Sequence, residues 1–260
     1  MKEITLKTEN LEIGYVSRKD KKSLVSNINL NLEKGKLIAL IGENGIGKST
    51  LLRTLTGIQK PLSGKILINN IKIENYNSSD LAKHLSVVLT EKLPPGNLTV
   101  FELVALGRQP YTNWIGKLSE NDIFKTNQAI ALTQIEHLKH KKHFEISDGQ
   151  LQKVLIARAL SQDTELIILD EPTTHLDLIH KVSVLKLLKK LTQETQKCIL
   201  FSTHDIDLAI QMSDEMIVMT SQNILQEQPC QLIEKGIFNT LFNNENISFD
   251  NLKGKFVVKN

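Results

Sequence analysis

The sequence predicts an α/β fold with a mostly parallel core sheet, and three features of the chain predict it. A glycine-rich segment, residues 42–50, follows the apolar run Leu37 to Ile41 and precedes a helix-like run. A second apolar run, Leu166 to Leu169, is continuous in the way of a strand buried on both faces. Later strands alternate with helix-like stretches at Val182 to Leu191 and Ile206 to Met212, and such alternation implies parallel pairing.

The glycine-rich segment fits the phosphate-binding pattern G-x-x-x-x-G-K-[ST]. Its members are Gly42, Glu43, Asn44, Gly45, Ile46, Gly47, Lys48, Ser49 and Thr50. Residues without a Cβ let backbone amides approach phosphates, and the following helix adds its positive end. Lys48 is placed to reach the β and γ phosphates, and the Ser49 hydroxyl to ligate Mg²⁺. We therefore expect a triphosphate site; the alternative is an ordinary glycine-rich turn.

Two adjacent carboxylates follow the strand Leu166 to Leu169, at the sheet edge where α/β proteins bind ligands. We expect Asp170 to hold Mg²⁺ through its water shell and Glu171 to orient or deprotonate the attacking water. Because side chains alternate along a strand, the two carboxylates are expected to point opposite ways. The alternative is an acidic turn at the end of a strand.

These segments, in this order, resemble the ATP-binding cassette (ABC) ATPases. Ile146 to Gln150 resembles the signature motif of that family, and Leu169 to Asp177 resembles its Walker B motif and D-loop. The resemblance runs from about Leu11 to Gln228. It implies ATP as the nucleotide, a fold with an antiparallel β subdomain and a helical subdomain, and a homodimer whose two copies share each ATP site.

The resemblance also implies roles for residues outside the glycine-rich segment. Tyr15 matches an aromatic that stacks on adenine, although it is also an ordinary strand tyrosine. Asp177 matches the D-loop aspartate that touches the partner near its P-loop, although it also suits a cap for a helix beginning near Leu178. His204 matches a histidine that contacts the γ phosphate, although a histidine after a strand is usually structural. The signature residues expected near ATP held by the other copy are Ser147, Asp148, Gly149 and Gln150.

Two positions depart from the family pattern. Where the family usually has glutamine, this chain offers only Thr90 and Glu91, and Glu91 is our better candidate for a ligand of Mg²⁺ or of a water. Asp148 stands where glycine is commoner. These departures keep open a nucleotide-sensing module with little hydrolysis, beside the leading interpretation of an active ATPase.

A finer resemblance covers residues 97–120, which look like the helical subdomain of cassettes that energise uptake of iron complexes, haem or cobalamin. It implies a transmembrane permease and a substrate-binding protein as partners, at the cytoplasmic face of the cell (inner) membrane. Trp114, the single tryptophan, stands beside Tyr111 and Ile115 as an interface anchor would. The alternative is a local hydrophobic cluster under a loop.

Composition is compatible with these expectations. A net charge of +3 over 260 residues gives no basic stripe, so we expect no nucleic-acid partner, although a cassette acting on nucleic acid or ribosomes is a further alternative. Cys198 and Cys230 lack metal spacing and suit a reducing compartment. We expect no secretory signal at the start of the sequence and no membrane-spanning stretch.

The predicted organisation is an ATPase domain over residues 1–228, with the helical subdomain inserted at about 92–160. Short strands are expected near Ile4 to Leu6, Leu11 to Tyr15 and Ile28 to Leu32. Helical stretches are expected over Thr99 to Gly107, Glu120 to Leu132 and Gln150 to Leu160. Residues 229–260 are expected to form an extension on the same domain, with a helix that includes Leu232, Ile233 and Phe238 to Phe242 and an edge strand at Lys253 to Val258. The histidines 137, 140 and 143 lie among lysines, so a solvated loop is favoured there over a metal site.

Overall fold

The part of the chain that the structure describes contains two β-sheets, a small hairpin, eight α-helices and five short 3₁₀ helices. The computed structural model describes residues 3–16, 20–89, 96–220, 223–241, 247–251 and 254–258. The strands are β1 (Ile4–Val16), β2 (Lys21–Ile28), β3 (Asn31–Glu33), β4 (Leu37–Gly42), β5 (Ser63–Ile68), β6 (Ile71–Lys72), β7 (Leu85–Val88), β8 (Leu166–Leu169), β9 (Cys198–Ser202), β10 (Glu215–Met219), β11 (Ile224–Glu227), β12 (Ile247–Asp250) and β13 (Lys255–Val258). The helices are α1 (Lys48–Leu55), α2 (Ser78–Leu81), α3 (Val100–Ala105), α4 (Glu120–Leu132), α5 (Asp148–Ser161), α6 (Leu178–Thr195), α7 (Ile206–Met212) and α8 (Pro229–Glu234).

The core sheet has the strand order β11-β10-β4-β9-β8-β7. All neighbours pair in parallel except β11, which is antiparallel to β10. Alternate residues of β4 belong to different apolar clusters: Leu37, Ala39 and Ile41 to one, Ile38 and Leu40 to the other. The sheet is therefore covered on both faces, as a continuous apolar strand requires. This arrangement confirms the predicted α/β fold.

The antiparallel sheet has the order β2-β1-β5-β6, with β3 also paired to β1. The two short strands expected before Tyr15 form a single strand, β1, which is interrupted by a bulge rather than by a turn. Asn10 has a φ of 47°, and the pairing register with β5 shifts between Glu9 and Glu12. A bulge inserts an unpaired residue and breaks the alternation, which explains why the sequence showed two segments.

Helices α3, α4 and α5 pack together and form the helical subdomain. Each begins with a capping box, in which a Ser or Thr hydroxyl and a side chain three residues later satisfy the first free amides. Because Ser147 supplies the cap, α5 begins at Asp148, two residues before the predicted start. The helix predicted over Thr99 to Gly107 is α3 followed by a 3₁₀ segment, Leu106–Tyr111.

The tail packs against the core sheet's helical face. Phe238 and Phe249 stack with ring centroids 4.7 Å apart, and Phe249 meets Phe256 edge-on at 5.0 Å. The backbone amide of Phe256 also donates to Oδ1 of Asp207 in α7, at 3.4 Å. The predicted tail helix is α8 where it includes Leu232 and Ile233, and a short 3₁₀ turn, Ile237–Thr240, where it includes Phe238; Phe242 lies outside the described residues. The edge strand is β13, which pairs with β12. The domain limits at residues 92, 160 and 228 stay predictions.

Within the described ranges, no helix combines the length and apolar character needed to cross a membrane.

The stacked rings predict that Phe249→Ala destabilises the whole fold. Phe249 is only 7% exposed and belongs to the main apolar cluster. Removing such a ring leaves a cavity and costs roughly 3 kcal/mol in the free energy of unfolding, to be measured by urea denaturation. Asn251→Ala, at the exposed turn of the same hairpin, is the control. An unchanged midpoint for Phe249→Ala would show that the hairpin does not stabilise the core.

Candidate active site

Three loops meet at one edge of the core sheet, because they follow the carboxyl ends of the adjacent parallel strands β4, β9 and β8. They enclose one side of a cavity of about 380 Å³, and the antiparallel sheet supplies the opposite wall. The residues that line it are Tyr15, Lys22, Leu24, Asn44, Gly45, Gly47, Lys48, Ser49, Thr50, Glu171 and His204.

The glycine-rich loop joins β4 to α1 in a conformation that its sequence requires. Gly47 has a φ of 114°, which side chains rarely tolerate. A Cβ on Gly42 would lie 2.6 Å from the carbonyl oxygen of Met219, so close approach to β10 demands glycine there. Ile46 packs against the β-subdomain cluster. Gly47, Lys48 and Ser49, where α1 begins without a side-chain cap, line the cavity, so the free amides of the helix start are available there as an anion site needs.

Lys48 is folded back across this loop. Its side chain is nearly buried, and Nζ donates to the carbonyl oxygens of Gly42 at 2.8 Å and Glu43 at 3.0 Å. Burial lowers the pKa of Lys48, while the negative charges of Glu171 and Asp170 oppose that change. The ammonium group is thus desolvated and ready to exchange neutral carbonyl partners for stronger anionic ones.

Asp170 and Glu171 are joined through a buried serine that the sequence had not indicated. The Ser202 hydroxyl at the end of β9 donates to Oδ1 of Asp170 at 2.7 Å and accepts from the backbone N–H of Glu171 at 2.9 Å. Strand alternation is not the reason that the two carboxylates differ in direction, since β8 ends at Leu169. Glu171 instead has a φ of 49°, and this left-handed turn directs its side chain into the cavity.

Glu171 and His204 form a direct contact at the cavity wall. Oε1 of Glu171 lies 2.6 Å from Nε2 of His204, and Oε2 accepts from the Thr174 hydroxyl at 2.9 Å. The side chain of Glu171 is 23% exposed and that of His204 is 45% exposed. A carboxylate held at both oxygens, yet open to the cavity, has the position of a general base.

The opposite wall places an aromatic ring above the loop. The Tyr15 hydroxyl is hydrogen-bonded to Oγ1 of Thr50 at 2.7 Å, and half of the Tyr15 surface is exposed. Lys22 pairs with Tyr15 across β1 and β2, and Leu24 lies two residues further on the same side of β2. Sequence reasoning missed both residues, although alternation along β2 would have placed them on one face.

The predicted signature and D-loop residues do not line this cavity. Ser147 caps α5, its hydroxyl accepting from the Gln150 amide at 3.3 Å, and Asp148 and Gly149 begin the helix. Asp177 caps α6 by accepting from the His180 amide at 2.8 Å, and its carboxylate also contacts Nδ1 of His180 at 2.7 Å. The cap that was the alternative for Asp177 is therefore present; its contact with a partner stays a prediction.

Glu91 lies outside the described residues. Among the residues that are described, no group of three or more His, Cys, Asp or Glu side chains could hold a metal ion, and this includes histidines 137, 140 and 143. The oxygens that suit Mg²⁺ are the Ser49 hydroxyl at the cavity and the Asp170 carboxylate fixed by Ser202.

The loop, its buried lysine and the facing carboxylate define a P-loop nucleotide-binding protein. The family model for the ABC transporter matches residues 25–174, more than half of the sequence. The chain belongs to the ABC transporter family, as its ATP-binding and ATP-hydrolysing component.

Curated relatives support this membership over nearly the whole chain. An uncharacterized ABC transporter ATP-binding protein of Methanocaldococcus jannaschii is 40% identical over 98% of this chain and 87% of its own length. The achromobactin transport ATP-binding protein of Dickeya dadantii is 37% identical over 91% of this chain and 87% of its own. The iron(3+)-hydroxamate import ATP-binding protein of Bacillus subtilis is 37% identical over 86% and 81%.

Two solved structures share the fold. CbiO1 from Clostridium perfringens, part of the ABC transporter complex CbiONQ, superposes with a TM-score of 0.78 at 33% identity, covering 90% of this chain and 92% of that one. An ATP-binding cassette in a dimeric post-hydrolysis state, bound to ADP and Pi, gives a TM-score of 0.72 at 29% identity, covering 86% and 98%.

The serine bridge predicts that Ser202→Ala slows ATP hydrolysis while ATP still binds. Loss of the hydroxyl frees Asp170 and the Glu171 backbone to shift, and small displacements of catalytic groups lower kcat by about tenfold to a hundredfold. Phosphate release measures the rate of hydrolysis, and ATP titration measures the affinity for ATP.

Ser213→Ala is the matched control for that variant. The Ser213 hydroxyl oxygen is likewise buried, but it has no hydrogen-bond partner among the residues described, so its removal should leave kcat unchanged. Equal rates for wild type and Ser202→Ala would remove the bridge from the catalytic arrangement.

Proposed function

We propose that this chain is the ATPase subunit of an importer that powers uptake of an iron complex (siderophore), haem or cobalamin through a transmembrane permease. Support for the iron class comes from the relatives named for achromobactin transport and iron(3+)-hydroxamate import. The proposal that the chain hydrolyses ATP rests on the position of Glu171, which lines the same cavity as the P-loop and contacts His204.

The proposed site residues have distinct roles. The P-loop amides and Lys48 bind the phosphates, and the exposed ring of Tyr15 stacks on adenine. Glu171 accepts a proton from the attacking water, and His204 contacts the γ phosphate and holds the Glu171 carboxylate. Support for this assignment is that these side chains face one another across a cavity of about 380 Å³.

Ser49 and Asp170 would hold Mg²⁺ on the phosphate side of the cavity, and Glu91 is a further candidate. Both a hydroxyl and a carboxylate oxygen suit this cation, which binds few protein groups and keeps waters and phosphate oxygens as its other ligands. When bound, Mg²⁺ neutralises charge on the transferring phosphate.

A second copy of the chain completes the site in this proposal. Ser147, Asp148, Gly149 and Gln150 lie away from the cavity of their own copy, at the positive end of α5, where the γ phosphate of the partner's ATP would meet them. Asp177 would approach the partner's P-loop. The dimeric cassette bound to ADP and Pi supports such an arrangement. ATP then favours the closed dimer because only that state gives it contacts from both copies.

The remaining proposed partners are the permease and a substrate-binding protein, with the chain held at the cytoplasmic face of the cell membrane through the permease. Trp114 and Ile115 are 95% and 69% exposed, so the alternative of a buried cluster under a loop was wrong for them. Exposed apolar side chains on one turn support a docking role. Stimulation of hydrolysis by RNA instead of by a permease would contradict the importer assignment.

Glu171→Gln is the test of the proposed reaction. The amide keeps the size of the side chain but cannot take a proton, so hydrolysis should fall by at least about a hundredfold. ATP should still bind. Because this ATP is not hydrolysed, it should hold two copies together as a dimer, which size-exclusion chromatography with light scattering detects.

Glu74→Gln, on an exposed 3₁₀ turn, is the control and should hydrolyse ATP like wild type. A wild-type rate for Glu171→Gln would exclude Glu171 as the base. A slow variant that stays monomeric with ATP would contradict the shared site.

A further inference from the structure

A buried arginine in the helical subdomain contacts the start of the exposed turn, helix α4 and the signature helix α5. Arg108 is 2% exposed. Its Nε donates to Oδ1 of Asp122 in α4 at 2.9 Å, and Nη1 donates to the carbonyl oxygen of Ser161, the last residue of α5, at 2.7 Å. The guanidinium carbon lies 3.9 Å from the ring centroid of Tyr111, so the group is bonded at its edges and stacked on its face.

The partners of Arg108 are themselves fixed. Oδ2 of Asp122 accepts from the Ser119 amide at 2.9 Å and from its hydroxyl at 2.6 Å, which caps α4. The Ser161 hydroxyl donates to the carbonyl oxygen of Val104 in α3 at 2.7 Å. Burial raises the pKa of Asp122, but the hydrogen bonds from Ser119 and Arg108 outweigh it and leave the pKa below its ordinary value. The carboxylate is therefore kept ionised opposite the guanidinium.

The turn over residues 111–116 is attached to this network at one end. Tyr111 rests on Arg108, and Asn113 orders the following residues by accepting from the amides of Ile115 at 3.1 Å and Lys117 at 3.2 Å. A Cβ on Gly107 would lie 2.2 Å from the Arg158 carbonyl oxygen, so the chain before the turn presses directly on α5. A displacement of the turn therefore reaches the carboxyl end of α5.

The amino end of the same helix carries the signature residues. Helix α5 has 14 residues, which gives a length of about 21 Å. Residues along its middle, including Val154, Ile156 and Ala157, are completely buried. A packed helix of this length moves as a rigid rod, so its two ends cannot shift independently.

Stability alone is a poor explanation for the arginine. Replacing a buried ion pair by apolar groups of similar volume is often neutral or stabilising, whereas a guanidinium that is bonded to two different helices and stacked on a ring fixes their geometry. We propose that Arg108 is a positioning residue, which joins the exposed turn 111–116 to helix α5 so that the turn sets the position of Ser147 and Gly149. This inference rests on the proposed function, in which Ser147 and Gly149 complete the ATP site of the second copy.

The test uses the full chain with Glu171→Gln, which holds ATP-bound dimers. Adding Arg108→Lys keeps the positive charge but removes the planar guanidinium group that bonds to α4 and α5. ATP affinity of the monomer should stay within about twofold, because neither Arg108 nor its bonding partners Asp122 and Ser161 line the nucleotide cavity. The protein concentration needed for ATP-dependent dimers should rise about tenfold, because the signature residues are presented in the wrong position.

Hydrogen–deuterium exchange separates positioning from local damage. In Arg108→Lys, the amides of Gln150 and Leu151, which bond to the Ser147 cap, should exchange faster than in wild type. Faster exchange confined to the neighbourhood of Arg108, with unchanged dimer formation, would overturn the proposal.

Two further variants control for folding. Ile130→Ala removes a buried side chain of α4 that has no part in the ion-pair network, and it should lower stability without weakening dimer formation. Arg108→Met with Asp122→Asn removes both charges and leaves an acceptor for the Ser119 cap, so this double variant folds even if Arg108→Lys does not. Compared with Arg108→Lys, the double variant should recover the free energy of unfolding but not the ATP-dependent formation of dimers.

Recovery of both properties in the double variant would make Arg108 purely structural and overturn the proposal. Failure of the proposed function has a different result: Glu171→Gln with native Arg108 would then form no dimers with ATP at all.

Discussion

The parallel hydrogen-bond ladder that joins β4, β9 and β8 is the constraint on which the site depends. It places three chain segments, far apart in sequence, at a single edge of the sheet. The phosphate loop follows the first strand, His204 the second, and Asp170 with Glu171 the third. Since all three strands are buried on both faces, none can slide without exposing apolar side chains to water. The catalytic spacing is thus maintained by hydrophobic burial.

Charge at that edge is balanced within short distances. The nearly buried ammonium of Lys48 is bonded to carbonyl oxygens, and two carboxylates provide the nearby negative charge. One carboxylate is oriented by Ser202 and the other by His204 and Thr174. Groups oriented before the ligand arrives need little rearrangement during the reaction, which is the general basis of electrostatic catalysis.

The sequence predicted those parts of the site that depend on local pattern. The glycine spacing, Lys48 and the acidic pair were recognisable because their chemistry requires fixed neighbours along the chain. Ser202 was not, since a single serine in an apolar strand acquires its meaning only from pairing with β8. The sequence showed Arg108 only as part of the stretch that resembles the helical subdomain and gave it no role of its own. Its partners in α4 and α5 come together only through tertiary packing. The left-handed turn at Glu171 likewise has no signature in residue type.

The packing of the tail affects where a purification tag can be attached. The aromatic hairpin is anchored to the amino-terminal turn of α7 through Phe256 and Asp207, and that turn directly follows His204 and Asp205. Fusing a bulky purification tag behind β13 would therefore pull on the helix that directly follows His204 and Asp205. A tag placed ahead of β1 would instead attach to the antiparallel sheet, which takes no part in the hydrogen bond between Phe256 and Asp207.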